Sequence, residues 1–163
     1  MNNRITKAID IFLDAINEGT LAKGNCCACA VGNLVAHGMN GKISRLENSF
    51  NCNVKNNEWY NLFLTYVSSG QQDIRKENLD SPAVIACIEA TEFTWEELAK
   101  IEHAFETNTK IYYANYYCYT REKIREDQIN GLAAVIKVME TFDNIESDLY
   151  VNEFKNRVKK LIL

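Results

Sequence analysis

Two apolar stripes at helical spacing, separated by a run of tyrosines, constrain this chain more than any other feature. Between Thr94 and Met139 the sequence reads as a helix, an aromatic connection and a second, longer helix. In the first helix Trp95, Leu98, Ile101, Phe105 and Thr109 recur three or four residues apart, which aligns them on one face. Thr94 and Glu97 have the capping-box spacing, in which a hydroxyl and a carboxylate satisfy free backbone N–H groups reciprocally. The connection, Ile111 to Tyr119, carries Tyr112, Tyr113, Tyr116, Tyr117 and Tyr119. Thr120 then offers an N-cap for a helix starting at Arg121, with Ile124, Gln128, Leu132, Val135 and Met139 as its stripe.

Polar groups interrupt both stripes. Glu102 stands four residues after Leu98 and three before Phe105, so it shares the face the apolar residues use, and Glu106 lies one turn further on. Asp127, Gln128 and Asn130 occupy the first turns of the second helix beside Gly131, whose missing side chain permits close helix contact. A carboxylate on a core-facing stripe is costly unless it is paired or hydrogen-bonded. Antiparallel packing would bring Glu102 and Glu106 near Asp127 and Gln128, and these four residues form the expected polar cluster.

The remaining segments are read from the same periodicities. Ile5, Ala8, Ile9, Phe12, Leu13 and Ile16 mark a first helix ending near Gly19. Asn25 can cap a second helix from Cys26 to His37, stopped by Gly38, whose Cys, Ala and Gly content suits a central, closely packed element. Residues 41–52 are polar and irregular, with room for a short strand. Residues 59–67 fit a buried helix or a strand, with helix preferred, and 68–78 read as a loop. Asp80-Ser-Pro82 opens a further helix with Val84, Ile85, Ile88 and Ala90 as its apolar face. Beyond Asp143 a last helix carries Ile145, Leu149, Phe154, Val158 and Leu161, with Lys159 and Lys160 complementing its dipole.

A single Pro and seven Gly in 163 residues argue against an all-β or linker-rich chain. The expected fold is mostly α: a single-domain bundle of five to six helices over residues 1–163, with a short β element in 41–67. The formal net charge of −4 disfavours a general nucleic-acid-binding surface. No apolar stretch has the length of a membrane span or the pattern of a signal peptide, so the expected location is cytoplasmic. Under those conditions the six cysteines read as free thiols rather than as a disulfide scaffold.

Three constellations could carry chemistry. Cys26 and Cys29 form a Cys-x-x-Cys pair at a helix start, where thiol pKa falls, and Cys52, His37 and His103 could add metal ligands. The ordinary alternative is cysteine packed as a small apolar residue. Glu102, Glu106 and Asp127 could hold a hard cation or act as acid–base groups. The ordinary alternative there is a buried network anchoring residues 107–120, since the Glu-x-x-His spacing of helical di-metal sites is absent. The five tyrosines, followed by Arg121 and Arg125 one turn apart, could stack a base and hold a phosphate, or form a protein interface. Otherwise alternate tyrosines cover the core and the rest reach solvent. No Gly-rich phosphate loop, nucleophile elbow or His-Glu-x-x-His motif is present.

Leu21-Ala-Lys-Gly24, Cys26 and Cys29 leading into Ala30-Val-Gly-Asn-Leu-Val-Ala36, and Trp95-Glu-Glu-Leu-Ala-Lys-Ile-Glu102 carry a likeness. On these residues the chain resembles a group of small uncharacterised proteins from Bacteroides-type bacteria and their phages. The likeness continues through Ala104-Phe-Glu-Thr-Asn-Thr-Lys-Ile111, Glu126-Asp-Gln128 and Asn130-Gly-Leu132. It covers about two-thirds of the sequence and is weakest from Met39 to Asp80. The resemblance implies a phage or bacterial accessory protein and lends no catalytic residues. Taken together, the expectation is a non-enzymatic binding protein without a cofactor. It would capture a small anionic ligand, such as a nucleotide immune signal, or a partner protein or second copy of itself. The alternative is a metal-binding or thiol-redox protein using Cys26 and Cys29 or Glu102, Glu106 and Asp127.

Overall fold

The computed structural model describes residues 3–23, 28–38 and 82–162. Within them the chain forms α1 (Asn3–Glu18), α2 (Ala30–Gly38), α3 (Pro82–Ala90), α4 (Trp95–Asn108), a 3-10 helix (Tyr113–Cys118), α5 (Arg121–Phe142) and α6 (Leu149–Ile162). The fold is mostly α. Among the described residues the β-type pairing is one isolated parallel bridge between Lys23 and Tyr112. The expected β element in 41–67, the helix or strand at 59–67, the loop at 68–78, Cys26 and Cys52 lie outside the described residues.

The helix starts follow the sequence signals. Glu97 N–H donates to Thr94 Oγ1 at 3.2 Å, and Thr94 N–H donates to Glu97 Oε2 at 2.9 Å, closing the capping box of α4. Lys123 N–H donates to Thr120 Oγ1 at 3.2 Å, which makes Thr120 the cap of α5. Pro82 is the first residue of α3, where its missing N–H costs no helical hydrogen bond. Gly19 ends α1 in the left-handed region at φ 72°, as a C-terminal glycine can at little cost.

Three expectations need correction. The last helix begins at Leu149, so Ile145, expected within it, precedes it. α2 begins at Ala30 rather than Cys26. Cys29 stands just before it in the role of a cap: Gly32 N–H donates to Cys29 Sγ at 3.2 Å. The buried Asn33 amide donates back to the carbonyls of Thr20, Ala28 and Cys29, closing the turn that precedes the helix. The apolar face proposed for α3 is also incomplete, because Ile85 is 41% exposed while Ile88 packs on the core.

The core is a layer of aliphatic and aromatic side chains. Phe12 of α1, Phe105 of α4, Leu132 and Met139 of α5 and Phe154 of α6 are fully buried within it. Each such side chain removed from water contributes about 1.5–3 kcal/mol before entropy is counted. α1 packs on α2, α5 and α6, α2 also packs on α4, and α4 and α5 make the most extensive pairing. That pair is antiparallel, since Asp127 meets residues 110 and 111 while Gly131 meets Phe105 and Thr109. A Cβ at Gly131 would overlap Thr109 Oγ1 and crowd the Phe105 ring, so the close crossing expected from this glycine is observed. Arg4 ties the far end together, bonding Glu97 and Asp143 at 2.9 Å each and lying 4.8 Å from the Phe93 ring.

Candidate functional site

The connection between α4 and α5 is held from several directions. Asp127 accepts the Lys110 and Ile111 N–H groups at 2.8–3.0 Å, so an acid of α5 satisfies backbone left free past the end of α4. From the α1–α2 segment, Lys23 donates through Nζ to the carbonyls of Glu106 and Thr109 at 2.7 and 2.6 Å. A cation there complements the C-terminal dipole of α4. The same ammonium lies 4.6 Å from the Tyr112 ring centroid, and Lys23 O accepts Tyr113 N–H. Tyr116 O–H donates to Leu21 O, while Gln128 Nε2 donates both to Leu21 O and to the Tyr116 oxygen. Burial holds the Tyr116 hydroxyl proton more tightly than usual, against the Gln128 hydrogen bond and with Asp127 reinforcing it. Lys23 carries no sequence signal that would single it out, because its partners lie far along the chain.

Anchored in this way, the 3-10 segment turns Tyr113 and Tyr117 outward and keeps Tyr116 half-buried against Leu21 and Gln128. No residue of Tyr113–Cys118 is buried, so alternate tyrosines do not cover the core. Tyr113 and Tyr116 meet edge to face at 5.3 Å, Tyr112 and Tyr119 are about half exposed, and Tyr117 is 86% exposed.

Tyr119 and the two arginines expected to act with it line different clefts along α5. Tyr119, Asn108, Lys110, Ile111, Lys123 and Asp127 line a cleft of about 390 Å³. Arg121 and Arg125 line another, of about 290 Å³, with Glu122, Ile129 and Ile162. Glu126 and Asn130, one turn apart on α5, line both clefts and form the ridge between them. The helical period explains the division within α5: residues 121, 125 and 129 fall on one flank and 123 and 127 on the other, while Tyr119 reaches the second cleft from the extended turn before the helix. Lys110 and Lys123 are therefore the cations beside Tyr119, and spacing alone did not point to them.

The expected polar cluster divides as well. Asp127 and Gln128 serve the connection as described. Glu102 is 1% exposed, and neither carboxylate oxygen has a hydrogen-bond partner of good geometry among the described residues. Its polar company is Glu106, the Cys29 thiol and the Val31 backbone of α2. Burial, reinforced by Glu106, raises the Glu102 pKa from 4.5 to about 8, so it is a neutral acid at pH 7. Burial likewise pushes the Cys29 thiol well above its ordinary range, with Glu102 and Glu106 adding to the effect. Cys29 is thus held as a thiol, the form least suited to redox exchange or metal ligation. Among the described residues no group of three or more His, Cys, Asp or Glu is arranged to hold a metal ion. Nor is any described helix long and apolar enough to cross a membrane.

No protein-family model, curated protein or solved structure matches this chain.

Proposed function

We propose that this chain is a binding protein whose ligand site is the Tyr119 cleft, and that its ligand is a nucleotide. The observation that carries the reading is an exposed aromatic face beside two lysines and two asparagines, set on a segment fixed by Lys23, Asp127 and Gln128. Tyr119 offers a face for a base, and the Asn108 and Asn130 amides offer both donors and acceptors. Lys110 and Lys123 supply charge for phosphate, and Glu126 and Asp127 in the same cleft offset it, a balance that suits the singly charged phosphodiester of a cyclic nucleotide better than a dianionic monophosphate. A cleft of about 390 Å³ falls within the roughly 300–1,000 Å³ usual for small-ligand sites. Binding is favoured over catalysis because Asp127, an acid of this cleft, is engaged by two backbone N–H groups and no histidine among the described residues lines it. With the resemblance to phage-associated proteins, the ligand we favour is a nucleotide signal of bacterial immunity, held out of circulation.

Isothermal titration against mononucleotides and linear and cyclic dinucleotides tests this. Saturable heat is expected from a subset of the panel. Tyr119→Ala should weaken it roughly tenfold to a hundredfold, since stacking on an aromatic contributes about 1–3 kcal/mol per base. Absence of heat across the whole panel would discard the nucleotide.

A second reading rests on Tyr117, which stands almost free of its own chain. Exposed tyrosines are typical anchors of protein interfaces, so the 3-10 segment is also suited to a partner protein or a second copy. Light scattering across a concentration series, with Tyr117→Ser as the control, distinguishes self-association from a monomer.

A further inference from the structure

The cleft on the opposite flank of α5 has a different chemistry from the tyrosine face. Ile129 and Ile162 give it apolar walls, and Ile162 is 52% exposed although it is a large aliphatic residue. Arg121 and Arg125 stand over these walls one helical turn apart, and neither guanidinium has an ion-pair or hydrogen-bond partner among the described residues. The other two described arginines are matched, Arg4 with Glu97 and Asp143 and Arg157 with Asp10. Two unmatched planar cations beside exposed aliphatic surface make a site with two demands, an acidic head and an apolar body.

We infer that this second cleft binds a carboxylate carried on an apolar body of modest size. The guanidinium fork matches a carboxylate with two parallel hydrogen bonds. The head group should carry a single charge. Glu122 and Glu126 line the same cleft, so two positive charges face two negative ones, a balance that disfavours a dianionic phosphate. The cleft volume of about 290 Å³ sets the body at about ten water-sized groups, taking ~30 Å³ each. Medium-chain fatty acids and aryl-alkyl acids have this form. The site is separate from the Tyr119 cleft and does not depend on what binds there.

Octanoate is the probe, titrated calorimetrically into the whole protein, with the Ile129 and Ile162 methyl signals followed by NMR. Octanoate is expected to saturate and to shift both methyl signals. Octan-1-ol lacks the head and acetate lacks the body, so each should bind at least tenfold more weakly. Octyl phosphate should not bind more tightly than octanoate. The double variant R121Q/R125Q alters only surface residues, and should weaken octanoate at least tenfold while retaining the melting temperature. Octanoate that fails to bind at millimolar concentration, binds no better than octanol, or binds the double variant equally well would overturn the inference. Tighter binding of octyl phosphate would overturn the carboxylate assignment.

Discussion

Glu102 shows how far a single residue can be read from sequence. Its register, four from Leu98 and three from Phe105, placed it on the buried face, and there it lies. Periodicity also supplied Glu106, one turn further along the same helix; what it could not supply is Cys29, which reaches Glu102 from the turn before α2. The consequence is a pH dependence of known sign. With a pKa of about 8 in the folded chain against 4.5 unfolded, Glu102 is protonated in both states below about pH 4.5. As pH rises from there the folded state retains a proton that the unfolded state releases. This group's contribution therefore declines with a slope of up to about 1.4 kcal/mol per pH unit until pH passes about 8. Glu102→Gln removes that titration. Urea unfolding should find the two proteins closest in stability near pH 5 and the variant increasingly favoured towards pH 9; a difference independent of pH would refute the assignment.

Gly131 is legible in another way, as an absence that permits contact. Gly131→Ala should cost about 1–2 kcal/mol, an overpacking penalty reduced by the better helix propensity of alanine. In a Thr109→Ala background, where the overlapping hydroxyl is gone and only the closer-than-usual Phe105 ring and residue 109 Cβ remain, the same substitution should cost distinctly less. Melting curves of the four proteins make the cycle, and equal effects in both backgrounds would exclude the contact.

At the scale of elements, starts and stops were the most legible features. The Thr94–Glu97 box and the Thr120 cap are local chemistry, complete within four residues, and both form as their spacing implies. The 3-10 segment was legible only in part: the sequence marks the acids including Asp127 as anchors of residues 107–120, whereas Lys23 and Leu21 carry no such signal. Asp127 acts from α5, Lys23 and Leu21 from the segment before α2. Glu140 was missed for a similar reason. It is fully buried on α5, and its Oε1 accepts the Tyr150 and Val151 N–H groups at the start of α6. Its position four residues after Ile136 was the available clue, but its partners lie on the next helix. The hairpin offers a direct test. Asp127→Ala should speed hydrogen exchange at the Lys110 and Ile111 amides and destabilise the fold by about 1.5–3 kcal/mol, the range for hydrogen bonds to a charged group. Unchanged exchange at those two amides would show that the carboxylate does not hold them.

For the whole molecule, periodicity established a helical bundle and the burial of α1, while the order in which helices touch came only from the structure. The candidate site divides along the same line. Tyrosines, arginines and acids were all visible as residue types, but their grouping depends on which flank of α5 each occupies. A helix turns about 100° per residue, so neighbours in sequence become residents of separate clefts.

The bonds from Leu21 and Lys23 have a consequence for synthesis. Their partners Gln128 and Glu106 follow 107 and 83 residues later. While the chain emerges from a ribosome, Leu21 and Lys23 must wait with these groups open, and the tyrosine surface cannot assemble until the first turns of α5, through Gln128, have appeared. A chain released early would carry the rings and the lysines yet no platform to hold them.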